Sequence, residues 1–268
     1  IGCFIVAGAA LAWFIVAELR NPAPLLQIRL LAERNFGISM AVLTLFAIGM
    51  LGGTYLLPLY MQRGLGYTAL AAGSMFLPVG VIQGVLSAVS GYLTRYVRPL
   101  LLSAAGILIM ALSFWLASRF TLHTTHGHIL FILYLRGFGM GLTFAPLNLF
   151  SLKNLTQQDM AAAAGISNSI KQLAGSIGIA LLTVIFSART SYHAAHETVS
   201  AAQTYVEGVT DALRVVAVIT LAALLPLLGV FRKKRPGKSG VKSAATPSPG
   251  EAVSGKTDKT TIYRTKPE

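Results

Sequence analysis

Few residues in this chain can do chemistry, and those that can are set among apolar neighbours. Arg136 and Asn148 lie inside the run 129–150, Gln83 interrupts 69–93, and Asn168, Lys171 and Gln172 interrupt 161–187. A guanidinium, an ammonium group or an amide in hydrocarbon is costly unless it faces protein or water, so such side chains mark a bundle interior or a wet cavity. Asn168, Lys171, Gln172 and Gly175 share one helical face by their i+3 and i+4 spacing. Two roles are open for Arg136: a fixed positive charge beside a solute pathway, or a hydrogen-bonded anchor between helices. Lys171 either faces a substrate or reaches along its apolar stem to the membrane surface. Asn148 reads as interhelical glue, and Gln83 fits either role.

Catalysis has no residues to stand on. The apolar runs hold no paired carboxylates, and there is no Ser–His–Asp arrangement or P-loop. Arg136-Gly-Phe-Gly-Met-Gly resembles a dinucleotide loop only superficially, because no strand precedes it. His123, His126 and His128 form one histidine group, and His193 and His196 another. Their spacings suit a metal ion, but the first group has no carboxylate or cysteine beside it, so all five are expected in solvated loops. Cys3 is the single cysteine, which excludes a disulfide framework. No enzyme activity, metal or cofactor is expected.

These residues need elements that suit lipid. Of the 268 residues, 54% are hydrophobic and 12% charged, about half the 25% usual in soluble domains. That excludes a soluble enzyme, a disordered chain and a coiled coil, and indicates an all-α polytopic membrane protein. Seven apolar segments are read at 1–17, 38–60, 69–93, 100–117, 129–150, 161–187 and 212–231. Most are long enough to cross about 30 Å of hydrocarbon as helices, which satisfy their own backbone groups. Continuous apolar runs do not fit the alternating strands of a β-barrel.

The net charge is +13, and residues 232–268 supply ten Lys or Arg against three acids. This excess therefore reads as a basic tail, not as a nucleic-acid site. Alternate loops are basic: Arg20, Arg29 and Arg34 in 18–37, Arg95 and Arg98 in 94–99, Lys153 in 151–160, and the tail from Arg232. By the positive-inside rule these face the cytosol of an inner-membrane protein. The tail turns to Lys, Ser, Thr, Pro and Gly and reads as disordered; its basic start reads first as a plain topology anchor, with contact to anionic lipid as the alternative. Residue 1 is Ile and no signal peptide is visible, so upstream sequence is expected.

Thr156 and Asp159 form a capping pattern before the sixth segment, and Pro99 opens the fourth. Three glycine pairs, Gly80 with Gly84, Gly137 with Gly141, and Gly175 with Gly178, are spaced for close helix approach. Amide and cationic side chains gather on the third, fifth and sixth segments, whereas the fourth and seventh carry essentially only Ser and Thr, apart from Arg214 at the start of the seventh. A central solute pathway would produce that partition.

Several stretches resemble the major facilitator superfamily, and more narrowly its EmrB/QacA type of drug:proton antiporter with fourteen membrane helices. They are 24–36 (PLLQIRLLAERNF), 60–73 (YMQRGLGYTALAAG) followed by Leu77 and Pro78, Arg136-Gly-Phe-Gly-Met-Gly with Pro146, and above all 160–180 (MAAAAGISNSIKQLAGSIGIA). The resemblance covers roughly residues 1–231. It implies that 1–17 ends a linker helix, that 18–37 is a cytosolic connector, and that 38–231 form a C-terminal six-helix bundle. The second, third, fifth and sixth segments would line the cavity.

The resemblance also implies proton-coupled efflux of drugs or other amphipathic small molecules by alternating access against an N-terminal half of the same chain. A Gram-negative host would add a periplasmic adaptor. Other cargoes on the same fold are a metabolite, a siderophore or an amino acid, and a transport-inactive sensor or scaffold is the reading from another class. One departure stands out. The family often carries an acidic residue in the inner turn after the third segment; here Gly91, Arg95 and Arg98 are present, but Thr94 stands in the acidic place.

Overall fold

The computed structural model describes residues 28–233, apart from 154, 158 and 197–199, together with positions 6, 9 and 13. Most of segment 1–17, the connector before 28 and the tail beyond 233 lie outside the described residues. A short 3-10 turn, Ile28–Ala32, leads into α1, Arg34–Leu59. The chain then widens into a π-helical turn at Tyr60–Gly64 and reverses at Gly66, whose φ of 72° is open to glycine at little cost. Next come α2, Ala69–Ser74; α3, Leu77–Leu93; α4, Pro99–Ala117; α5, His126–Leu152; α6, Met160–His196; α7, Ala201–Ala222; and α8, Leu224–Lys233. No strand occurs among the described residues. Among the described residues six stretches are long and apolar enough to cross a membrane: Arg34–Gly64, Ala69–Leu93, Pro99–Ala117, His126–Leu152, Met160–Ala195 and Ala201–Gly229.

Several boundaries differ from the sequence expectation. The third segment is two helices, because the chain turns at Met75 and Phe76 and Pro78 opens α3 in its first turn, where its missing N–H is not needed. The sixth runs on to His196, and the seventh begins at Ala201. Polar residues there hid the helices from an apolarity reading, although backbone hydrogen bonding does not depend on apolarity. Asp159, not Thr156, occupies the position before α6; its backbone carbonyl accepts from Ala163 N–H at 2.9 Å, and Thr156 Oγ1 donates to its carboxylate at 2.6 Å.

The helices pack around a core that includes Phe36, Phe46, Leu56, Tyr60, Phe114 and Ile132. Helix α5 packs on α3, α4 and α1; α7 packs on α4, α6 and α1; and α1 joins the two groups through α6. Helix α4 crosses α5 closely: a Cβ on Gly139 would lie 2.9 Å from Met110 N and 3.0 Å from Gly106 O. Tyr60 Oη donates to Thr121 O at 2.7 Å, and its ring stacks on Phe120, fixing the end of α1 to the loop before α5. Helices α3 and α6 have the barest faces, with 17% and 22% of their apolar windows buried, against 39% to 61% for the other four spans.

Candidate functional site: a polar cavity between α1, α5 and α6

Glycines set how α6 lies on α1. Gly175 takes the side chain of Leu51, and Gly178 takes the backbone of Ile48. One turn earlier on α6, a cavity of about 290 Å³ lies between α1, α5 and α6. Asn148 and Ser151 reach it from α5, and Ser167, Asn168 and Lys171 from α6, while Leu43 and Phe144 form apolar wall. Both serines spend their protons locally: Ser151 Oγ donates to Asn148 O at 2.8 Å and Ser167 Oγ to Ala163 O at 2.7 Å. The donors left to meet a solute are the two amides and the ammonium group. This arrangement can hold an amphipathic molecule, with its polar end on Asn148, Asn168 and Lys171 and its apolar body on Leu43 and Phe144.

Arg136 is elsewhere. It is 2% exposed, and its Nη2 donates to Met50 O at 2.9 Å and also to Thr54 Oγ1. The hydroxyl of Thr54 in turn donates to Met50 O at 2.6 Å. The guanidinium lies 5.0 Å from the centre of the Phe114 ring, a cation–π contact, and its Nη1 is buried without a hydrogen-bond partner. Arg136 thus anchors α5 to α1 and α4 and does not line the cavity. Gln83 is half-buried on α3, with its carbonyl against Gly141, and Gln172 is exposed; neither lines the cavity. The structure therefore gathers three of the six expected pathway residues.

Close approach holds at Gly137, against Val79 O and Ile82, and at Gly141, Gly175 and Gly178. Gly80 and Gly84 differ: a Cβ on either meets nothing within 4 Å, because that side of α3 has no neighbour among the described residues. Gly91 is equally open, and Arg95 and Arg98 are exposed. Thr94, in the acidic place of the inner turn, donates to Gly91 O at 2.6 Å, while Arg95 lies over the ring of Tyr92.

The Major Facilitator Superfamily profile matches residues 1–179. The chain belongs to that superfamily. It is 32% identical over 197 residues to the multidrug export protein EmrB of Escherichia coli (strain K12), covering 73% of this chain and 38% of EmrB. It is 30% identical over 189 residues to the fatty acid resistance protein FarB of Neisseria gonorrhoeae and, over the same length, to the uncharacterized MFS-type transporter YhcA of Bacillus subtilis (strain 168). Each of those matches covers 70% of this chain, with 37% of FarB and 36% of YhcA. The chain thus spans little more than a third of the length of these relatives. It is a multi-pass membrane protein of a transporter superfamily.

For this superfamily bundle, sequence reasoning missed two features. Gly106 and Gly139 make the α4–α5 crossing, although Gly139 sits within the quoted glycine run. The second is ionic. His193, expected in a loop, lies on α6 with Nε2 3.1 Å from Asp211 Oδ2 and Nδ1 3.5 Å from Glu207 Oε2. Arg214 Nη1 donates to Asp211 Oδ1 at 2.9 Å, and Arg189 lies 3.8 Å from the same carboxylate. The i+4 spacings of Arg189 with His193 and of Glu207 with Asp211 were the available signal.

Proposed function

We propose that the chain is the C-terminal six-helix bundle of a proton-driven exporter of drugs or other amphipathic molecules in the cytoplasmic membrane. The polar cavity between α1, α5 and α6 is the observation that carries this reading. Polar side chains from two helices converge there beside apolar wall. The roles for which the relatives are named, multidrug export and fatty acid resistance, fit such a cavity.

In this reading the bare faces of α3 and α6 meet a second bundle supplied by the N-terminal half of the same protein. Rocking of the two bundles exposes the cavity to each side in turn. The open glycines Gly80 and Gly84 give that partner a close approach. The connector 18–37, the turn at Arg95 and Arg98, and the tail 232–268 lie in the cytosol, with the basic start of the tail as a topology anchor. The carboxylates that carry protons belong to the N-terminal half. In a Gram-negative host a periplasmic adaptor continues the path.

Cysteine mapping tests this. In full-length protein carrying Cys3→Ser, the variants Asn148→Cys, Ser151→Cys and Asn168→Cys react with a membrane-impermeant thiol reagent in everted vesicles. Leu108→Cys, Leu112→Cys and Leu221→Cys, which border an apolar groove of α4 and α7, do not. The reverse pattern sinks the transporter reading.

A further inference from the structure

The cavity has a charge sign, and that sign specifies a cargo. Lys171 is the one charged side chain among its lining residues. From Arg34 to His196 the sequence holds a single carboxylate, Asp159, which lies in the loop before α6 bonded to Thr156. No acidic side chain is therefore placed on α1, α3, α4, α5 or α6 to neutralise the ammonium group. The amides of Asn148 and Asn168 stand beside it as neutral donors, and Leu43, Phe144 and Leu152 supply apolar wall. A cationic amphiphile seated here would bring like charges together at low dielectric, while an anion gains charge-assisted hydrogen bonds from Lys171.

Resting on the export reading above, we infer that the cavity selects organic anions: molecules with an apolar body and one carboxylate, sulfonate or phosphate head, which Lys171 binds. The apolar body lies along Leu43 and Phe144, and the head sits between Lys171 and the two amides. Lipophilic cations are poor cargo for this site.

The test uses the full-length protein in energised everted vesicles with two permanently charged probes of equal chain length, decane-1-sulfonate and decyltrimethylammonium. Neither has a neutral form that leaks through lipid. The wild type accumulates the sulfonate in preference to the ammonium probe. Lys171→Gln weakens sulfonate uptake, read as kcat/KM, by about tenfold or more, the size of a lost charge-assisted hydrogen bond, and leaves any ammonium uptake unreduced. Lys171→Arg keeps most sulfonate uptake, and Lys171→Glu shifts preference toward the ammonium probe.

Preference of the wild type for the ammonium probe overturns the inference while the export reading stands. Equal loss of both probes in Lys171→Gln, with normal protein amounts, also overturns it, because Lys171 is then structural. If Lys171→Gln fails to accumulate as protein, the Arg and Glu variants decide: unchanged charge preference in both overturns it. Absence of accumulation of either probe, and of neutral drugs, defeats the export reading itself.

Discussion

Arg136 is the largest fully buried side chain in the bundle, and its partners favour the anchor over the pathway charge among its two sequence readings. It bonds to a carbonyl and a hydroxyl of α1 and covers an aromatic ring of α4. Arg136→Ala should remove these contacts and leave a void, lowering stability by about 3 kcal/mol. The check is the thermal unfolding midpoint of the purified full-length protein, followed by tryptophan fluorescence. Transport per folded molecule should persist. Unchanged stability with lost transport would put the guanidinium in the pathway instead. Arg136→Lys should recover little, because an ammonium group lacks the planar fork that serves two acceptors and the ring at once. The sequence made Arg136 conspicuous, since a cation in an apolar run is an outlier, but its role depended on Thr54 and Phe114, ordinary residues far away in the chain. Asn148, Asn168 and Lys171 were legible for the same reason as Arg136. Ser151 and Ser167 were not, because serine is common in membrane helices and its hydroxyl is satisfied by its own helix.

At the scale of elements, apolarity located the spans but not their ends. Helix α6 continues past 187 because its polar residues Arg189 and His193 turn toward Asp211 and Glu207 on α7. Averaging hydropathy along one segment cannot register pairing with another. The glycine pairs show the complementary lesson: spacing marks surfaces able to approach closely, and geometry shows which of them do so within this chain. Gly139→Ala should push α5 off Met110 and Gly106 and cost about 2 kcal/mol, because the obstructing atoms are backbone. Gly127→Ala, at the start of α5 and facing open space, should leave bundle stability unchanged. Paired melting curves of the two variants check this, and equal losses would mean that the α4–α5 crossing is looser than described.

At the scale of the whole molecule, charge distribution carries the remaining prediction. Helices α1, α3, α5 and α6 meet short connections that alternate between the two ends of the bundle. One end carries Arg34, Arg95, Arg98 and Lys153. The other carries Arg63 and Arg119, together with the His193 cluster, in which Asp211 and Glu207 offset the nearby cations. Basic loops resist translocation, so the first end should stay in the cytosol. Single cysteines at 96 and 157 in the Cys3→Ser background should then resist a membrane-impermeant thiol reagent in intact cells and react after permeabilisation. Cysteines at 67 and 124 should react in intact cells. The opposite labelling would invert the bundle. It would place the cavity, which lies within about 16 Å of the α6 start by helix rise, on the far side of the membrane. Cargo would then meet Lys171 from outside the cell, a geometry suited to uptake. The labelling therefore fixes orientation and direction of loading together, through one cause: the arginines and lysines that the membrane will not pass.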